Sequence, residues 1–264
     1  GVNKAVVVMS KAFDRGSNWS VPVIIVEDPV YTVLSPSGGI APDGTIVVGY
    51  TRALLNSIVM QGGTVDAGYI YSTDDGETWS AFVPVQTPDN SYIQFAGKMI
   101  EVGNAELMLP FTWGNSSSHF IEYVMFSSDN GRTWGSPIPA WDTLFQQMPP
   151  ETVAWWTAQG NPPIPAWSHT EGSFVYLGNN RVLGLIRNDS ETWRPNQYAP
   201  RWMQIYSADN GRTWQIHGIT AFDDPLRASF IALSSFTAPD GRTVVEAVYQ
   251  KFTTTGMLRA IYGY

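Results

Sequence analysis

The sequence predicts an all-β chain built by repeating one hairpin unit, and three observations carry that expectation. The pattern S-x-D-x-G-x-T-W occurs three times, as STDDGETW at 72–79, SSDNGRTW at 127–134 and SADNGRTW at 207–214. A degenerate copy near the start keeps Asp14, Gly16, Asn18 and Trp19 in the same spacing, with Ser10 two residues further upstream than the pattern wants. The composition suits many short strands joined by tight turns: 24 Gly, 18 Pro, 11 Trp, 12 Tyr and 12 Phe in 264 residues. Recurrence of one pattern at such intervals is how a repeated supersecondary unit is written.

The unit is a stapled hairpin. An apolar run precedes each full copy (Ala67–Tyr71, Tyr123–Phe126, Trp202–Tyr206), and an extended segment opened by the Trp follows it (Trp79–Val85, Trp134–Ile138, Trp214–Ile219). Between them the Asp carboxylate accepts hydrogen bonds from nearby N–H groups and the Gly takes a positive φ at little cost. The Ser and Thr hydroxyls close the loop, and the Trp ring buries beneath it. Asp14, Asp74, Asp129 and Asp209 are therefore read as turn staples, not as catalytic acids or metal ligands.

In chain order the units are as follows. Residues 1–28 hold a strand at Ala5–Met9, the degenerate copy and a strand at Val21–Val26, half of a unit. Residues 30–87 form a full unit, with Tyr31–Leu34, a turn at Pro42-Asp43-Gly44, Thr45–Tyr50, the repeat and an outer strand. Residues 91–140 and 166–220 form two more. Residues 228–264 supply Ser229–Ser234, a turn at Pro239-Asp240-Gly241, Thr243–Tyr249 and Met257–Tyr262. No composition shift marks a linker, so 1–264 is read as a single domain of four or five units. Pairing the first and last pieces in one unit would give four and close a ring, which protects sheet edges.

Several function classes are excluded. With no cysteine there is no disulfide, thiol catalysis or thiolate metal site, and the compartment is left open. His119, His169 and His217 are scattered and build no zinc cluster, so neither a metal nor another cofactor is expected. A net charge of -8 argues against nucleic acid and gives no basic patch for an anionic membrane. No apolar run approaches the about 18 residues that cross a bilayer, and no leader segment is visible. These traits point to a soluble protein of open localisation, an extracellular place or a cell or virion surface being compatible with them, and oligomerisation is left open.

The repeats resemble the Asp boxes, or BNR repeats, of the sialidase (neuraminidase) superfamily. That resemblance implies an Asp-box β-propeller in which each box joins the third and fourth strands of a blade, on the rim away from the active site. Sialidase propellers have six blades, which is more than this chain carries at its observed spacing. The box also occurs in non-sialidase propellers and binding proteins.

The segment EGSFVYLGNNRVLGLIR, Glu171 to Arg187, resembles the sialidase stretch in which a glutamate precedes one arginine of the carboxylate-binding triad by the same spacing. The resemblance implies that Glu171 polarises a tyrosine nucleophile and that Arg187 forks onto a substrate carboxylate. A planar guanidinium suits that second task. Alternatively, Arg187 ends a strand and pairs with a nearby acid such as Asp189 or Glu191. Other family positions depart from the pattern. Leu34 and Pro36 stand where an R-I-P motif would supply the first arginine, and Asp66 is the acid nearest the expected general-acid place. Arg259 is the candidate third arginine, and the blade carrying the tyrosine would lie beyond Tyr264.

Two aromatic loops suit a sugar ligand. The insertion at 141–165 carries Trp141, Trp155 and Trp156, and a loop of that length in a compact β domain is usually functional or disordered. Residues 188–202 bring together Trp193, Arg194, Tyr198 and Arg201. Packing over blade edges or in an oligomer interface accounts for these aromatics equally well. Arg52 ends a strand that repeat geometry directs to the same mouth as Arg187. The expectation is recognition of a carbohydrate, an acidic sugar in particular, with or without hydrolysis. The other reading is a non-catalytic carbohydrate- or protein-binding propeller, such as an attachment module.

Overall fold

The computed structural model describes residues 4–54, 64–86, 92–115, 119–140, 158, 167–190, 202–219, 228–253 and 256–263. Apart from a 3-10 turn at Gly103–Ala105 and the helical residue Ala158, the regular structure of these segments is β-strand, in five antiparallel sheets that follow chain order. The first sheet pairs β1 (Val7–Met9) with β2 (Val23–Val26). The second runs β3 (Tyr31–Ile40), β4 (Ile46–Leu54), β5 (Thr64–Ser72), β6 (Val83–Pro84) from one edge to the other. In the third, the first edge is split into β7 (Tyr92–Phe95) and β8 (Ile100–Val102). Both pair with β9 (Glu106–Asn115), followed by β10 (His119–Ser127) and β11 (Ile138–Pro139). The fourth runs β12 (Trp167–Gly178), β13 (Arg181–Ser190), β14 (Trp202–Ser207), β15 (Gln215–Ile219), and the fifth β16 (Ala228–Thr237), β17 (Thr243–Thr253), β18 (Gly256–Gly263).

Apolar side chains fill the space between successive sheets, which is why the middle strands read as nearly continuous hydrophobic runs. Val7 and Val26 pack on Val33, Tyr50 and Ile70. Val47, Ala67 and Tyr69 meet Phe95, Leu109, Phe111 and Met125. Met108, Val124 and Phe126 meet Phe174, Val182, Ile186 and Ile205. Val175 and Leu185 meet Ile231, Leu233 and Ala247. Each cluster joins one sheet to the next, so the core is a series of layers between neighbouring blades.

The repeats lie between the third and fourth strands of the second, third and fourth sheets, and between β1 and β2. In the first full copy the Asp74 Oδ1 accepts from the Ser72 hydroxyl at 2.7 Å and the Thr78 N–H at 2.9 Å. The Thr78 hydroxyl donates to Asp74 Oδ2. Asp129 repeats this with Ser127 and Thr133, and Asp209 with Ser207 and Thr213. In the degenerate copy Asn18 takes the place of Thr, and its N–H and side-chain amide both donate to Asp14. The Trp19 and Trp134 indoles donate to Gly16 O and Gly131 O, each at 3.0 Å.

Three details differ from the sequence reading. The turn needs two consecutive left-handed residues, not the glycine alone. Arg15, Asp75, Asn130 and Asn210 have φ near +60° immediately before glycines at +81° to +87°. Asp and Asn tolerate that region better than most residues. The outer strands β6 and β11 are only two residues long, since the box consumes the preceding residues and a short edge resists further pairing. Trp19 is 65% exposed whereas Trp214 is 6% exposed, because no sheet covers the first hairpin on that side among the described residues. There, β1 pairs with β2 and β18 with β17, and no ladder joins the first sheet to the last.

The boxes also rivet neighbouring blades. Arg132 of the second full box donates to Asp43 in the β3–β4 turn at 2.8 Å, and Arg212 of the third to Glu106 at the start of β9 at 2.7 Å. In the first full box, Asp75 and Glu77 meet Lys11 of the first hairpin.

Candidate functional site

The first strand of each complete sheet breaks its register at one level. In β3 the register shifts between Leu34 and Ser37, in β12 between Thr170 and Ser173, and in β16 between Ser229 and Ile231. In the third sheet the same level is the gap between β7 and β8. Bulges re-aim a side chain and end local pairing, and they gather near sites. Ser35, Gly97 and Glu171 occupy these bulges with φ of +50°, +78° and +54°. A left-handed glutamate is uncommon, and such strain persists only where the surroundings impose it.

The bulges enclose a cavity of about 440 Å³. Four sheets contribute to its wall: Ser35, Pro36, Ser37 and Gly38 from β3, Gln94 and Phe95 from β7, Glu171 from β12 and Ile231 from β16, with Ala96, Gly97 and Lys98 from the connection after β7. Since the leading strands of four successive blades converge here, the cavity is the centre of the array. The blades touch directly at this level. The Ser37 hydroxyl donates to Gly97 O, and a Cβ on Gly97 would lie 2.3 Å from Gly172 O, so only glycine fits.

Glu171 and Arg187 are brought together. The Arg187 Nη1 donates to Glu171 Oε2 at 2.5 Å, with the two side chains 25% and 10% exposed. Arg187 lies opposite Thr170, next to the bulge that carries Glu171. The sequence reading brought the two residues to one place but did not foresee that they pair with each other; the alternative partner Glu191 and the side chain of Asp189 lie outside the described residues.

Behind Glu171 lies a second carboxyl, that of Glu122 on β10, which is fully buried. Thr112 of β9 joins the two, because its hydroxyl donates to Glu122 Oε2 at 3.0 Å and accepts from the Glu171 N–H at 3.1 Å. Burial pushes the Glu122 carboxyl up to about 8, helped by the nearby Glu171 charge and opposed by the Thr112 hydroxyl and the Gly172 N–H. Its surroundings thus favour the neutral form of Glu122.

The remaining candidates are placed as follows. Asp66 accepts from Arg52 Nε at 2.7 Å and from its Nη2, and Asp28 accepts from Arg52 Nη1 at 3.4 Å. The same guanidinium covers the Phe82 ring at 4.1 Å. None of Arg52, Asp66 and Arg187 is among the residues that line the cavity; Arg187 is joined to it through Glu171. Arg259 lies on β18 opposite Gln250. Trp155, Trp156, Trp193, Arg194, Tyr198 and Arg201 lie outside the described residues. No group of three or more His, Asp or Glu is arranged to hold a metal ion among the described residues.

A family model described as a BNR repeat-like domain matches residues 2–251. The chain belongs to the BNR repeat-like domain family. It is 21% identical to a sialidase of Paraclostridium sordellii over 281 residues, which covers 95% of this chain and 60% of that protein. Among solved structures, a protein of unknown function from Dyadobacter fermentans is similar with a TM-score of 0.67 and 18% identity, over 97% of this chain and 67% of the other. The Hadza microbial sialidase Hz136 has a TM-score of 0.66 at 18% identity, over 97% and 50%. The intramolecular trans-sialidase of Ruminococcus gnavus has 0.62 at 12%, over 97% and 77%. The fold is the sialidase-like Asp-box β-propeller.

In this BNR repeat-like chain, sequence reasoning missed three residues of the cavity region. Lys98 lines the cavity and is one of only a few lysines in the chain. Glu122 stands out in the sequence as the single carboxyl group in the apolar run FIEYVMF, which was a usable signal. Thr112 gave none, since a threonine in a strand is ordinary.

Proposed function

We propose that the central cavity takes an acidic sugar of the sialic-acid class. The observation that carries this reading is Glu171, held left-handed on an inner bulge, lining the cavity while ion-paired to Arg187. Arg187, behind Glu171, offers a planar donor to a ligand carboxylate, and Lys98 adds a cation to the cavity lining. Gln94, Ser35 and Ser37 supply neutral polar groups of the kind that orient hydroxyls. The relatives named as sialidases support the ligand class by analogy.

Binding with little turnover is the form this function takes here. Leu34 occupies the place of one triad arginine, and Arg52 and Asp66 are engaged with each other. This arrangement favours recognition over hydrolysis. In the purely non-catalytic reading, the aromatic loops at 141–165 and 188–202 carry the contacts.

The test pairs a glycan array and calorimetric titration of N-acetylneuraminic acid with a fluorogenic sialoside assay, on wild type and Arg187→Ala. The expected result is binding to acidic glycans, weakened about tenfold or more in Arg187→Ala, with slow or no hydrolysis. Robust turnover unaffected by Arg187→Ala would refute the site. No binding to any acidic or neutral glycan would transfer the function to protein recognition.

A further inference from the structure

Glu122 is a buried titratable group that the proposed ligand contacts leave unused. Its surroundings are unusually specific for a core residue. Oε2 accepts from Thr112, while Oε1 faces the Gly172 backbone without a hydrogen bond of full geometry. A Cβ on Gly172 would come within 2.9 Å of Glu122 Cδ and Oε1, so the residue after Glu171 has to be glycine for the carboxyl to fit. The elements packed against it present few polar groups: Thr112 from β9, Glu171 and Gly172 from β12, and the Ala140 N–H, which donates to the Glu122 backbone at 2.8 Å. Among the described residues, Glu171 is the charged group that acts on it, and Glu171 is itself held by Arg187.

A hydrophobic side chain would fill this position at less cost than a carboxyl. We infer that Glu122 is a positioning residue of the central site, acting through Thr112 on the Glu171 backbone and through its own protonation on the charge that the cavity presents to an anion. The inference rests on the reading of the cavity as an acidic-sugar site. The hydrogen-bond chain from the Glu171 N–H through the Thr112 hydroxyl to Glu122 fixes the left-handed bulge. While Glu122 is neutral, Glu171 and Arg187 neutralise one another and the site accepts a carboxylate. Ionisation places a second negative charge behind Glu171, which weakens the site's hold on an anion. Linkage makes the effect reciprocal: a bound anion resists ionisation of Glu122 as strongly as that ionisation resists the anion.

The experiment follows the Glu171 amide and side-chain carboxyl signals by NMR, in protein labelled at glutamate, from about pH 5 to about pH 9. Wild type, Glu122→Gln, Thr112→Val and Thr112→Ser are compared. The expected result is a Glu171 inflection near pH 8 in wild type that disappears in Glu122→Gln. The amide response is lost in Thr112→Val and restored in Thr112→Ser, which a merely space-filling role would not produce. In parallel, affinity for N-acetylneuraminic acid falls about fivefold or more across that inflection in wild type and stays level in Glu122→Gln. Absence of the wild-type inflection, its persistence in Glu122→Gln, or sugar binding in wild type that ignores it overturns the inference. If the inflection behaves as expected while no acidic sugar binds, the Glu122–Glu171 coupling stands and the ligand reading falls.

Discussion

Gly131 sits with its α-carbon against Val47, so that a Cβ built on it would come within 2.4 Å of Val47 Cγ2. The box of one blade is thereby pressed onto the second strand of the blade before it. The same relationship recurs where Gly211 meets Met108 and, in the first full box, where Gly76 meets Met9. A substitution there combines left-handed strain with overpacking. Gly131→Ala is expected to destabilise by about 2–4 kcal/mol. Gly211→Ala should cost less, because the contacting atom is a flexible thioether sulfur. Gly44→Ala, with φ of +87° but nothing within 4 Å, isolates the strain alone at roughly 1–2 kcal/mol. Urea unfolding of the three variants checks the order, and equal losses in all three would remove the riveting role.

The box aspartates make stability depend on acid. The Thr78 hydroxyl and N–H, with the Ser72 hydroxyl, hold Asp74 at about 2 against an ordinary 3.8. Burial opposes the shift at Asp129 and Asp209, yet the matching Thr and Ser donors keep both below the usual range. A depressed folded value means the stabilisation is complete above the unfolded value and is lost as pH falls through the folded one. Stability should therefore drop between about pH 4 and about pH 2, less steeply in Asp129→Ala and Asp209→Ala. Each of these variants should lose about 1–3 kcal/mol at neutral pH. Ligand binding by the folded variants should match wild type; selective loss of binding would make the boxes functional.

Much of this was legible in the sequence because the box is local. Ser72, Asp74, Gly76 and Thr78 satisfy one another within seven residues, so their spacing alone dictates the turn. The closeness of Glu171 and Arg187 was legible from their spacing, since antiparallel pairing of β12 with β13 brings these positions together, but their ion pair was not. The bulges were not, because the Ser35 and Glu171 conformations are imposed by neighbouring blades through contacts such as Thr112 to Glu171, 59 residues apart. For Arg52 the strand position was legible but not its partner. Its guanidinium is committed to Asp66 across β4 and β5, with Asp28 completing the cluster.

That commitment gives Arg52 a structural task that can be tested apart from ligand binding. Two donors meet the Asp66 carboxylate side by side, and the planar group lies over Phe82. Lysine keeps the charge but neither the fork nor the stacking. Arg52→Lys should lower the melting temperature by several degrees, on the order of 1–2 kcal/mol, while affinity for an acidic sugar is unchanged. Loss of sugar binding at unchanged stability would return Arg52 to the ligand site.

Glu122 should give the opposite pH signature to the box aspartates. Its folded value is raised to about 8, from 4.5 for an ordinary glutamate. Below 4.5 both states carry the proton and the buried carboxyl costs least. Between the two values the unfolded chain ionises while the folded one does not, so this group's contribution declines steadily as pH rises and levels off above about 8. One such group contributes a slope of at most about 1.4 kcal/mol per pH unit. Glu122→Gln keeps the shape and an acceptor for Thr112 but cannot ionise, so its advantage over wild type should grow from acid to neutral pH. Denaturant titrations of both proteins at pH values across that window measure the divergence. Parallel curves would mean that Glu122 is already charged in the folded protein, with a partner that neutralises it.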